Sequence, residues 1–251
     1  MNIGKRLLIE KLLRRQVRIS KIQGTNIYIY RYKEKELFNI GSYSDLLPYN
    51  IGLMLSNKNY VSEILLKNKL PVAKGKLFMP DQENEAMDYA DKIGFPIFIR
   101  QENSQIEEKG KTIEHRENFR AVFQVLAKLQ ECILVEKYFQ GDEYRILYTD
   151  NGYLNCLKKI AGGSDDLTKE VHHSVRNMSI KVINCFPGWK FISFRLLCQN
   201  ILRKLASSNC IITDVYPSWG DNINYNMTGE KDSKSASSVI SDLMFPGNAR
   251  K

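Results

Sequence analysis

Several things are missing from this chain of 251 residues, and each absence removes a class of function. No run of about 18 apolar residues occurs, so no segment reads as a membrane span and no membrane partner is expected. The stretch 5–15 is amphipathic at helical spacing and lacks the uninterrupted apolar core of a signal peptide. It reads as a helix packing its Leu/Ile face inward, with an organelle presequence or a membrane-surface helix as alternatives. The five cysteines are odd in number, well separated and free of any CxxC pair. That pattern favours reduced thiols in a cytoplasm over a disulfide frame or a zinc site. The net charge is +9, yet the basic residues are scattered, with no helix-turn-helix, zinc-finger or RNA-recognition signature. A phosphorylated or acidic ligand fits this charge better than nucleic acid. No internal repeat is present.

What is present is enough for a sizeable core. The apolar fraction of 43% is ordinary for a globular protein, and the length suggests two or three lobes. Residues 4–16 read as a helix, and 26–32 with 36–40 as a hairpin. Residues 44–55 form a connector entering a helix, and 57–68 and 82–93 read as helices, the latter capped by Gly94. A strand starts at Leu70-Pro71-Val72, because the residue before a proline leaves the helical region. Strands are expected at 95–100, 112–114 and 133–138, with a helix at 117–129. Residues 145–149 and 153–159 form a hairpin across Asp150-Asn151-Gly152. Residues 160–188 lose periodicity and read as a mobile loop, and 191–207 as a helix. Short strands near 211–216 and 222–226 precede a last helix at 235–243. Recurring strand–helix–strand units make this an α+β chain with mixed and antiparallel sheets in adjacent lobes.

The most informative stretch is Val135-Glu136-Lys137-Tyr138-Phe139-Gln140-Gly141-Asp142-Glu143-Tyr144-Arg145. It reads as a strand, a connector with a glycine, and a second strand, with a carboxylate at each end. Such a layout can hold a purine nucleotide. Backbone groups and the first carboxylate meet the base, aromatic residues wall it, and the second carboxylate takes the ribose hydroxyls. The plainer reading is a solvated acidic hairpin, with Arg145 pairing across the strand to Glu143 or Asp142. Lys58, before a helix, has the similar alternative of an ordinary surface lysine. His172-His173 sits in a polar stretch and reads as solvated rather than metal-binding, and Trp189 and Trp219 as packing anchors.

Four segments in order resemble the ATP-grasp module of cyanophycin synthetase and of bifunctional glutathione synthetase. They are Ser56-Asn57-Lys58 followed by a helix and Leu70-Pro71-Val72-Ala73; Ile93-Gly94-Phe95-Pro96-Ile97-Phe98-Ile99-Arg100; the 135–145 hinge; and Val239-Ile240-Ser241-Asp242-Leu243-Met244-Phe245-Pro246-Gly247. The resemblance implies an ATP-grasp fold in which two α+β lobes grip a nucleotide. A helix and hairpin would occupy 1–50, a nucleotide-covering lobe 51–130, and a lobe with hinge, metal site and last helix 131–251. It implies an ATP- and Mg²⁺-dependent carboxylate–amine ligase acting through an acyl-phosphate on an amino acid or peptide. A homodimer is a common arrangement for such ligases. Lys58 and Arg100 would face the α- and β-phosphates. Glu136 would accept from the adenine amino group, the backbone of Lys137, Tyr138 and Phe139 would meet the ring edge, and Glu143 would bind ribose. Arg145 and Lys159 would stabilise transferring phosphate, and Asp214, Asn224 and Asn226 would hold the metal.

Three departures weaken that picture. Arg100 stands where the family has lysine, keeping charge but changing donor geometry. The segment 101–109 has no glycine and carries Glu102, Glu107 and Glu108, which oppose close approach of phosphates. Asn224 replaces a bridging glutamate, and Mg²⁺ favours anionic oxygen. A catalytically degenerate relative that binds nucleotide or a partner protein is therefore the alternative.

Overall fold

A computed structural model describes residues 3–40, 43–101, 110–217 and 230–246, with side chains from residue 6 in the first helix and from 236 in the last. Helix α1 (Ile3–Arg14) leads into a four-stranded antiparallel meander, β1 (Arg18–Lys21), β2 (Ile27–Tyr32), β3 (Lys35–Ile40) and β4 (Tyr43–Ser44). The expected hairpin is its centre, and Arg18–Lys21 adds a strand that its short, exposed, charged sequence conceals. Helices α2 (Tyr49–Leu55) and α3 (Lys58–Lys67) follow, the latter capped by Asn57, whose side chain accepts from the Tyr60 N–H.

Two further sheets position the site. The small sheet has order β5-β8-β6-β7, built from β5 (Gly75–Phe78), β6 (Ile97–Gln101), β7 (Lys111–Ile113) and β8 (Ile133–Lys137). One of its faces is covered by α4 (Glu83–Ile93) and α5 (Phe119–Ala127). Phe78, Ile97, Ile99, Ile133 and Val135 there meet Met87, Phe119 and Phe123 in a core of their own. The hinge strand β8 lies between β5 and β6, so Glu136 shares a sheet with residues 75–113. The strand expected from Leu70 is a single parallel bridge, Val72 to Ile212; regular pairing begins at Gly75.

The large sheet has order β11-β10-β9-β12-β13, all antiparallel: β9 (Asp142–Thr149), β10 (Leu154–Ile160), β11 (Gly163–Asp166), β12 (Phe191–Cys198) and β13 (Cys210–Tyr216). Two expectations are corrected here. Residues 160–188 are not a loop; they hold β11 and helix α6 (Ser174–Asn184), whose Val175, Met178, Ser179, Val182 and Ile183 are buried at helical spacing. Nor is 191–207 a helix. Phe191–Cys198 is a strand flanked on both sides and mostly buried on both faces, which erases the alternation that marks half-buried strands. The second core joins this sheet to α1, the meander, α2, α3 and α6. Helix α7 (Glu230–Met244) packs along α1, and Arg15 donates to Ser241 Oγ, to Asp242 and to the Phe245 carbonyl. Among the described residues no helix is long and apolar enough to cross a membrane.

Candidate functional site

Alternation in β6 and β8 decides what the small sheet offers its other face. Ile97 and Ile99 point to the helices, so Phe98 and Arg100 point away; Ile133 and Val135 do the same for Leu134 and Glu136. Arg100 and Glu136 are diagonal neighbours, and Nε of Arg100 lies 3.3 Å from Glu136 Oε2. Across from Glu136 on β5 stands Gly75, where an added Cβ would come within 2.7 Å of Glu136 Cγ. A side chain there would push the carboxylate out of its seat.

The large sheet answers with a polar row. Arg145 on β9 lies opposite Arg195 on β12, which lies opposite Asp214 on β13. Two arginines face to face would repel, and each finds separate compensation. Arg145 donates Nε to Ser193 Oγ at 2.8 Å and lays its guanidinium on the Tyr216 ring, 3.5 Å from the centroid. Arg195 turns to Asp214, bonding Oδ2 through Nε at 2.9 Å and through a terminal nitrogen as well. A bulge makes this fit. Pairing steps from Asp214 to Ile212 between Arg195 and Leu196, so Thr213 is the extra residue, and its Oγ1 also accepts from Arg195 Nε at 2.9 Å. Another Arg195 nitrogen is 3.7 Å from Glu143, and Glu143 is 3.3 Å from Lys159 Nζ.

Lys58, on the first turn of α3, joins the two sheets' contributions. Its Nζ is 2.6 Å from Asp214 Oδ1, and Arg100 approaches the same oxygen at 3.6 Å. Among the described residues, Lys58, Arg100, Arg145, Lys159 and Arg195 thus gather with Glu136, Glu143 and Asp214, five cations to three carboxylates. Burial pushes the Asp214 carboxyl up, but Arg195, Lys58 and Arg100 together outweigh it and hold it well below the usual carboxylate range. Burial raises Glu136, only partly offset by Arg100. Burial lowers Lys58 despite Asp214, with Arg100 and Arg195 pushing the same way. A cavity of about 650 Å³ opens beside this cluster, lined by Lys58, Leu66, Lys74, Tyr89, Leu134 and Glu136 among others.

The structure therefore gathers Lys58, Arg100, Glu136, Glu143, Arg145, Lys159 and Asp214. In the connector, the Lys137 N–H donates to Lys74 O at 2.8 Å and the Tyr138 N–H to Pro96 O at 3.3 Å. The Lys137 ammonium binds the Gly94 carbonyl at 2.8 Å, while Tyr138 is exposed and Phe139 half-buried. Asn224, Asn226, Trp219 and the segment 102–109 lie outside the described residues. The rings of His172 and His173 lie 4.0 Å apart, tilted by 37°, with His172 held by Ser174. Sequence reasoning missed Arg195. Its signal was legible as a lone cation in Phe-Ile-Ser-Phe-Arg-Leu-Leu-Cys, a pattern that marks a buried, paired charge once the segment is read as a strand.

As for a metal, Mg²⁺ prefers several anionic oxygens. Among the described residues no three His, Cys, Asp or Glu side chains gather to hold an ion. The best-placed carboxylate, Asp214, already has cations on both oxygens. The donors among the described residues do not fit a divalent ion. A polyphosphate, by contrast, fits a cavity lined, among the described residues, by Lys58, Lys74, Lys92 and Lys137 against Glu63 and Glu136.

No protein-family model matches the chain, and no curated protein matches it in sequence. Its structure is similar to a bifunctional glutathione synthetase from Pasteurella multocida, at TM-score 0.69 and 12% identity, covering 98% of this chain and 44% of that one. It is also similar to the D-cycloserine synthetase DcsG, at TM-score 0.60 and 10% identity, covering 79% of this chain and 73% of that one. A third likeness is to N5-carboxyaminoimidazole synthase from Aspergillus clavatus in complex with ADP, at TM-score 0.57 and 12% identity, over 78% and 53% of the two chains. The chain spans less than half the length of the first protein and about half of the third. At such identities the likeness is one of fold.

Proposed function

We propose that this chain, which has the ATP-grasp fold, binds an adenine nucleotide between its small and large sheets and serves as an ATP-dependent carboxylate–amine ligase. The observation that carries this reading is the convergence of Lys58, Arg100 and Arg195, from three separate elements, on Asp214, beside a cavity that Lys58 and Glu136 line. In this reading Lys58 and Arg100 meet the α- and β-phosphates, and Glu143 takes the ribose. Glu136 and the 137–139 backbone border the base. A substrate carboxylate oxygen takes the γ-phosphoryl group and ADP leaves; an amine nitrogen then attacks the acyl carbon and expels phosphate. Arg145 and Lys159 stabilise charge on the transferred group. The chain's own part is positioning and neutralisation. An amino acid or peptide is the substrate class. Five thiols without a disulfide are consistent with work in a reducing cytoplasm.

Titration calorimetry with ATP, paired with ADP release on adding amino acids, tests this. Glu143→Ala is expected to weaken ATP binding about tenfold or more, the worth of a hydrogen bond to a charged group. Unchanged affinity would sink the assignment. A second reading, nucleotide binding without turnover, is favoured by the cations on both Asp214 oxygens. Binding without any ADP release would select it.

A further inference from the structure

We infer that this chain carries its own counter-cation, Arg195, and binds a nucleoside polyphosphate without a divalent metal ion. The inference rests on the nucleotide-binding reading above, and adds how the ligand's charge is met.

The geometry around Asp214 is the ground for it. Its Oδ2 receives two nitrogens of one guanidinium, the planar fork that suits a carboxylate best. Its Oδ1 faces the Lys58 ammonium at 2.6 Å and Arg100 at 3.6 Å. Asp214 is 5% exposed, so these charges meet largely out of water, where Coulomb interactions are strong. A dication at Asp214 would have to displace Lys58 or Arg195 and would then sit among the cations it displaced. Arg195 is also the group least able to give way. Thr213, supplied by the bulge, gives it a second acceptor, and Glu143 lies 3.7 Å from its remaining arm. The side chain becomes a strut between Asp214 and Glu143 of the large sheet. Its charge is permanent at any working pH and fixed in direction. Arg145, held on Tyr216 and Ser193, stands beside it on the neighbouring strand. The positive field that an ion would bring to the phosphates is therefore built into β9 and β12, with Lys58 and Arg100 completing it from the other side.

The test uses the unmodified protein. ATP is titrated by calorimetry in EDTA and again in excess Mg²⁺, and Mn²⁺ alone is titrated with its free-ion electron paramagnetic resonance signal as readout. Affinity in EDTA is expected to equal or exceed that in Mg²⁺, and the Mn²⁺ signal to remain that of the free ion. ATP binding tighter by tenfold or more with Mg²⁺, or Mn²⁺ captured by the protein, overturns this inference and leaves the nucleotide reading standing. ATP bound under neither condition overturns the nucleotide reading and this inference with it. Arg195→Lys is expected to fold, keeping the charge while losing the fork, and to weaken ATP binding in EDTA about tenfold. An unchanged affinity in that folded variant also overturns the role given to Arg195.

Discussion

The small and large sheets solve the same problem in different ways. Each must present charge to a cleft while keeping a hydrophobic core behind it. In the small sheet the work is divided by face: Ile97, Ile99, Ile133 and Val135 seal one side, while Arg100 and Glu136 stand on the other. In the large sheet the interior strand β12 is mostly buried on both faces. Its arginine survives there because Asp214, Thr213 and Glu143 meet it. A half-buried sheet can place a charge by alternation alone. A fully buried one must supply each charge with partners from neighbouring strands, so its site is cooperative and more easily broken.

The largest effect is expected from breaking that cooperation. Asp214→Ala leaves Lys58, Arg100 and Arg195 facing one another, and removal of one member of a buried pair costs about 3–5 kcal/mol. Urea unfolding should show this loss, and a change under about 1 kcal/mol would mean that the cations find other partners. Next come the two cores. Phe194→Ala in the large sheet should cost about 3–5 kcal/mol and Ile99→Ala in the small one about 2–5 kcal/mol, both side chains being fully buried. Because the cores are separate clusters, hydrogen exchange after Ile99→Ala should rise in β5–β8 and not in β9–β13. A uniform rise would show one cooperative unit instead.

A smaller effect is expected from Gly75→Ala, at about 1–3 kcal/mol, the range for overpacking, because the new Cβ meets Glu136 Cγ. Wild-type stability without loss would mean that Glu136 turns aside freely. The pH dependence is subtler. Glu136 is raised above its ordinary value, so its contribution is fully present below the unfolded pKa and is lost as pH rises through the folded one. Asp214 is depressed, so its contribution is present above the unfolded pKa and is lost as pH falls through the folded value. Relative to Glu136→Gln, the wild type should therefore lose stability over the window in which pH rises above the ordinary carboxylate range, followed by denaturant midpoints. A midpoint difference that stays flat over that window would contradict the raised Glu136.

The same contrast explains what could be read in the sequence. The small sheet was legible almost strand by strand, because Ile97-Phe98-Ile99-Arg100 and Ile133–Lys137 are short apolar runs that end in charge. Gly94 marked the turn into β6, as Asp150-Asn151-Gly152 marked the β9–β10 turn of the large sheet, and Gly94 and Gly152 both have positive φ. The large sheet was half legible. Phe191–Cys198 is apolar on both faces, so its period vanishes and a helix fits equally well. The polar Gly162–Asp166 conceals β11, an edge strand with exposed Asp165 and Asp166, and helix α6 is diluted by Arg176, Asn177 and Lys181. Lys58, Arg100, Glu136, Glu143, Arg145, Lys159 and Asp214 could be named beforehand because the segments that carry them resemble the ATP-grasp module, which implies a role for each. Arg195 was missed because its segment reads as a helix, which hides the lone cation of a buried strand, and its partners depend on a bulge in β13 that no local pattern announces.

The route of the chain between the sheets has a mechanical consequence. It enters the small sheet past Pro71, whose carbonyl accepts from the Ile212 N–H at 2.8 Å, and leaves at Gly141, pressed against the Cys198 backbone. Both crossings are thus moored to the large sheet, and the Lys137 N–H to Lys74 carbonyl bond ties them to each other like the pin of a clasp. Of the three cations on Asp214, Lys58 and Arg195 ride on the same body as the carboxylate, and Arg100 rides on the other. Swinging the small sheet away stretches the Arg100 contact, the longest of the three, and leaves the other two closed. The clasp can open at its weakest link while the charge it guards stays neutralised.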